Sequence, residues 1–107
     1  MTEDHRRHAP ATARNREAIL AVLQRHLPSK GNVLEVASGT GEHILYFAQA
    51  SSPDLVFQPT DPDTAARASI DAWVASSGVS NVRLAIELDA IAEVWPVTSA
   101  DAVLCIN

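Results

Sequence analysis

A layered α/β fold with a parallel sheet and flanking helices is the class this sequence predicts, and three observations carry it. Short apolar runs alternate with amphipathic stretches along the chain. The first apolar run passes through a glycine-containing turn into a helix, and the next two runs each end in an aspartate. With 107 residues, 47% of them apolar, the chain can build one small domain and has no room for a second.

Residues 1–11 are polar, rich in His and Arg, and end in Ala-Pro-Ala, which predicts a mobile tail ahead of a domain spanning 12–107. A helix begins at Thr12. Its apolar residues Ile19, Leu20, Leu23 and Leu27 share one face, and Pro28-Ser29-Lys30-Gly31 stops it. Asn32–Val36 reads as a buried strand, Ala37–Gly41 as a turn, and Glu42–Ala50 as a second helix presenting Ile44, Leu45, Phe47 and Ala48 to the core. The unit then repeats. Leu55–Gln58 is a strand leading to Asp61, and a helix from Asp63 carries Ala66, Ile70, Trp73 and Val74 before Gly78 ends it in a left-handed position. Val82–Leu88 gives a third strand ending at Asp89, and Ala102–Ile106 a fourth, apolar throughout and so expected to be central. Asn107 follows that strand with no covering helix, so the sequence reads as the first part of a longer sheet. Its fourth-strand edge would be open to pairing with a second copy.

Composition narrows the function classes. The single Cys105 excludes an internal disulfide framework, and the charged N-terminus is followed by no apolar segment of a leader or anchor, so a reducing, cytoplasmic setting with no membrane partner is expected. Net charge is −5, but residues 1–30 carry six basic against three acidic groups while the remainder carries two against ten. So acidic a body disfavours a nucleic-acid partner. The histidines His5, His8 and His26 lack ligand spacing, and no metal is expected.

In an open parallel sheet, ligands sit beyond the carboxyl ends of the strands. Here those ends present a glycine turn and two aspartates. Gly39 and Gly41 let backbone approach a ligand closely, and Asp61, twenty residues after Gly41, is placed to accept both hydroxyls of a ribose. That combination points to a nucleoside-type cofactor. A dinucleotide fingerprint requires a third small residue where Ile44 stands, and no Gly-Lys-Ser/Thr follows the turn to make a phosphate loop. Either aspartate, taken alone, is equally well a solvated strand end or helix cap. Glu35, inside an apolar strand, must face the pocket or find a partner. His43 is read first as a packed or surface histidine and second as a neighbour of the cofactor. Trp73 and Cys105 are read as core.

The turn matches Glu-x-Ala-x-Gly-x-Gly, a variant of the acidic-x-Gly-x-Gly-x-Gly turn. With Arg14-Asn15-Arg16, the run VLEVASGTGEH, the Gln-Pro-Thr-Asp segment, Ser69-Ile70, Ala72-Trp73, Leu88-Asp89, Trp95-Pro96 and the final Cys-Ile-Asn, the chain resembles class I S-adenosylmethionine (SAM) dependent methyltransferases. Within them it is most similar to the uncharacterised methyltransferase-like 26 family. The resemblance implies a Rossmann-like sheet of seven strands, of which this chain supplies four, and SAM as cofactor. It implies that Glu35 holds the SAM amino group, usually through water, that Gly39 and Gly41 pass under the methionine portion, and that Ala37, Ser38 and Thr40 of the same turn are cofactor-binding. Asp61 would take the ribose hydroxyls, Asp89 and the Ala90 backbone the adenine edge, and Asn107 completes the site. The acceptor is expected to be a small molecule or protein side chain, with its binding residues and any catalytic base beyond this stretch. The competing reading is a non-catalytic SAM-binding module or inactive fragment. A nicotinamide enzyme is disfavoured by Ile44.

Overall fold

The computed structural model describes residues 4–106. Its elements run α1 (Pro10–His26), β1 (Gly31–Val36), α2 (Glu42–Gln49), β2 (Leu55–Pro59), α3 (Thr64–Ser77) and β3 (Ala102–Cys105). The strands form one sheet in the order β2-β1-β3, with both pairings parallel. The α/β class and its parallel sheet are therefore as the alternation of patterns indicates.

Alternation along the strands divides the core in two. Val33, Phe57 and Leu104 pack with Ile44, Phe47 and Ala48 of α2, and Ile19, Leu20 and Leu23 of α1, Leu27 just after it and Val74 of α3 close over them. On the opposite side Leu34 and Val36 pack with Leu88 in a smaller cluster, with Ala37, Trp95 and Val97 against it. Helices cover one side of the sheet and an irregular segment the other. Both sides of β1 are buried, which is why its run is apolar without alternation, apart from Glu35.

Four expectations change. Segment 82–88 is not a regular strand: it touches β2 through two isolated parallel bridges, Phe57 to Val82 and Thr60 to Ile86. Between them β2 advances three residues and its neighbour four, because Pro59 has no N–H to offer the ladder. The Leu84 carbonyl and Ala85 N–H are taken instead by the Gln58 amide and the Asp71 carboxylate. β3 lies at an edge of the sheet and not at its centre, and Val103 is 57% exposed. Cys105 is exposed and not core, since alternation puts Val103 and Cys105 on the side without helices. Finally α1 starts at Pro10, whose fixed φ suits a first helical turn, so the expected tail reaches too far by two residues.

No helix among the described residues is long and apolar enough to cross a membrane.

Candidate functional site

β1 delivers the chain to a turn that must swing from the sheet into α2 within five residues. Three of them have positive φ: Ala37 at 55°, Gly39 at 63° and Gly41 at 92°. The two glycines serve different ends. A Cβ on Gly41 would lie 2.8 Å from the Cα of Ile70, so this glycine lets α3 approach the start of α2. A Cβ on Gly39 would meet nothing within 4 Å. The open space beside the turn is therefore at Gly39. Ala37 carries a side chain in a conformation that costs L-residues roughly 1–2 kcal/mol.

Hydrogen bonds tie this turn to the end of β2. The Ser38 N–H donates to the Thr60 carbonyl at 2.7 Å, and the Thr60 N–H donates back to the Ser38 hydroxyl at 3.1 Å. Thr60, fully buried, also donates its hydroxyl to the Glu35 carbonyl at 2.8 Å. The Gly39 N–H reaches the Asp61 carboxylate (Oδ2) at 3.0 Å, while the Asp63 N–H holds the other oxygen at 2.9 Å. Arg67 clasps the Asp61 carbonyl at 2.9 Å from outside. Asp61 is thus aimed at the turn by backbone donors on both oxygens, and the cap reading belongs to Asp63, whose carboxylate accepts from the Ala66 N–H at 3.0 Å.

Glu35 lies beside this cluster, 1% exposed, with Oε1 buried and without a hydrogen-bond partner. Burial pushes its carboxyl up to about 7; the Ser38 hydroxyl opposes the shift and the Asp61 carboxylate adds to it. Among the described residues no ion pair involves either acid. A buried pair of acidic groups without a basic partner is stabilised by an incoming cation.

Glu35, Ser38, Gly39 and Asp61 are brought together; Asp89 and Ala90 stand apart. Asp89 is exposed, accepts a hydrogen bond from the Ile91 N–H at 3.1 Å, and shares none with the cluster. It lines a separate open hollow of about 460 Å3 with Glu87, Leu88, Val94 and Trp95. Thr40 turns away from Asp61 to hydrogen-bond Glu42 at 2.9 Å. His43 joins α2 to α1: its Nε2 is 2.8 Å from Asn15 Oδ1 and its ring stacks on Phe47. Burial lowers its pKa, with Glu42 opposing. The packed reading of His43 describes this placement. Asn107 lies outside the described residues. Sequence reading assigned no role to Thr60, Arg67 or Ser69, although Thr60 and Ser69 lie in runs that carry the resemblance. The last could have been found, being a hydroxyl on the apolar side of α3 between Ala66 and Ile70.

A family model described as "Protein of unknown function (DUF938)" matches residues 6–107. Among solved structures, the chain is similar to coclaurine N-methyltransferase bound to N-methylheliamine and SAH, with TM-score 0.72, 17% identity, 84% of this chain and 26% of that one. It is similar to YjhP from E. coli, with TM-score 0.70, 24% identity, and coverage of 96% and 40%. A SAM dependent methyltransferase from Aquifex aeolicus gives TM-score 0.69, 17% identity, and coverage of 91% and 51%. The fold is the one these three structures share, and the chain spans between a quarter and about half of their lengths.

Proposed function

The chain belongs to the DUF938 family, and from that premise we propose that it is the SAM-binding portion of a methyltransferase whose acceptor is a small molecule or protein side chain. One observation carries this reading: the Gly39 N–H and Asp61 carboxylate meet at 3.0 Å beside the buried, unpartnered Oε1 of Glu35. The group fits these residues. Asp61 retains lone pairs for ribose hydroxyls, Gly39 leaves open space beside the turn, and Glu35 with Asp61 suits a ligand bearing positive charge. SAM supplies a methyl already activated on a positively charged sulfur. The chain's own contribution is binding, orientation and exclusion of water. The VLEVASGTGEH run supports placing the chain nearest the methyltransferase-like 26 family.

Calorimetric titration of the intact protein with S-adenosylhomocysteine (SAH) and with NAD tests the proposal. SAH should bind, and Asp61→Ala should cost about 1.5–3 kcal/mol of that affinity, the range for hydrogen bonds to a charged group. NAD binding without a response to SAH would sink it.

A further inference from the structure

The segment ahead of α1 is fastened across the start of α2 and the middle of α3. The Arg7 N–H donates to the Ser69 hydroxyl at 2.9 Å, and Trp73 Nε1–H donates to the Arg7 carbonyl at 2.9 Å. The Ala9 N–H donates to Glu42 Oε1 at 2.6 Å. His8 sets its ring edge-on to Trp73, with centroids 5.1 Å apart, and Arg6 stacks over the same indole at 5.2 Å. The two acceptors on the helices also hold the glycine turn. Ser69 donates its hydroxyl to the Thr40 carbonyl at 2.7 Å, and Thr40 donates its own to Glu42 Oε1 at 2.9 Å. Ser69 is fully buried, so its hydroxyl is fixed between Arg7 and Thr40.

We propose that Arg7–Ala9 is a clasp that orders the glycine turn through Ser69 and Glu42, and that retention of the cofactor depends on the clasp being closed. The second half rests on the function proposed above. With positive φ on both sides of Thr40, the turn has an unusually large set of alternatives to lose when it is ordered. Fixing Thr40 at its carbonyl and its hydroxyl removes that freedom before a ligand arrives, so less affinity is spent on ordering. Ser69 and Glu42 are positioning residues: they act on Gly39 through Thr40 and belong to neither the ribose nor the amino contact.

Three variants of the intact protein separate this from a merely structural role. Glu42→Leu removes the acceptor shared by the Ala9 N–H and the Thr40 hydroxyl, and Glu42→Gln restores an acceptor without the charge. Trp73→Phe keeps a ring for His8 and Arg6 but loses the donor to Arg7. Amide hydrogen exchange over residues 38–42, SAH affinity and ligand-free melting are measured on each. Glu42→Leu should raise exchange in the turn and weaken SAH binding roughly tenfold each, the scale of one hydrogen bond to a charged group. Glu42→Gln should recover most of both, and Trp73→Phe should raise exchange with little change in melting. Unchanged turn exchange in both Glu42→Leu and Trp73→Phe would overturn the clasp, and altered exchange with unchanged SAH affinity would overturn its link to the cofactor. Absence of SAH binding by the unsubstituted protein would refute the proposed function instead, leaving exchange alone to decide whether the clasp orders the turn.

Discussion

Replacing Glu35 by Gln should remove a pH dependence of stability that the ligand-free protein carries between pH 4.5 and about 7. In the unfolded chain this carboxyl ionises at its ordinary value of 4.5, whereas in the fold burial raises it to about 7. Below 4.5 both states hold the proton and Glu35 gives no slope. Between the two values the unfolded state has lost the proton and the native state keeps it, so stability falls as pH rises; above about 7 both are ionised and the loss is complete. At about 1.4 kcal/mol per unit, the shift corresponds to about 3 kcal/mol across the window. Urea unfolding of the two proteins over that range gives the difference directly, and subtraction removes the other titrating groups, His43 among them. A difference that declines by about 3 kcal/mol supports the buried, unpartnered carboxyl. A constant difference would refute it. The same linkage gives the ligand's sign: a cation beside Glu35 favours the ionised form, so SAM affinity should rise as pH rises toward 7, with a proton released on binding.

The glycines of the turn should separate. Gly39→Ala should fold with a loss of roughly 1–2 kcal/mol from its positive φ, whereas Gly41→Ala should lose more, because its Cβ meets the Ile70 backbone; urea midpoints rank them. Ala37→Gly should raise stability by up to about 1 kcal/mol, relief of the left-handed strain exceeding the added freedom of the unfolded chain, and a fall in the midpoint would show that the methyl packs to advantage. If the β3 edge pairs with a second copy, sedimentation should show a dimer that Val103→Lys disperses, and an unsubstituted monomer would remove that proposal.

Much of this architecture was legible because period and punctuation agree. Pro28 to Gly31, Gly41 and Gly78 each sit at a real boundary, and Ile19, Leu20 and Leu23, with Leu27 at the C-cap, form the packed side of α1. Failure came where non-local hydrogen bonds override local pattern. Segment 82–88 alternates like a strand, but Pro59 on the neighbouring strand removes a rung, and no inspection of 82–88 alone reveals it. Cys105 sits in an apolar run, yet which side of the sheet the helices cover is a property of the whole fold. In the candidate site, Gly39 and Asp61 were recognisable by their places beyond strand ends and Glu35 as a carboxylate inside an apolar strand, whereas Ser38 came only from the resemblance. Thr60 and Arg67 were not recognisable: Thr60 is held by Glu35 and Ser38 of another segment, and Arg67 folds back on the Asp61 and Pro62 carbonyls, a geometry that residue type alone does not announce. The docking of Arg7–Ala9 was hidden for the same reason: the polar composition of residues 1–11 matches a free tail, and what fastens it is Glu42, Ser69 and Trp73.

The most direct test of the central claim is an amide chemical-shift map of the intact protein titrated with SAH. The account predicts saturable shifts centred on the amides of Ser38, Gly39 and Asp61, abolished by Asp61→Ala in a protein that still folds. Shifts centred instead on the Asp89–Trp95 hollow, with Gly39 and Asp61 unmoved, would contradict it.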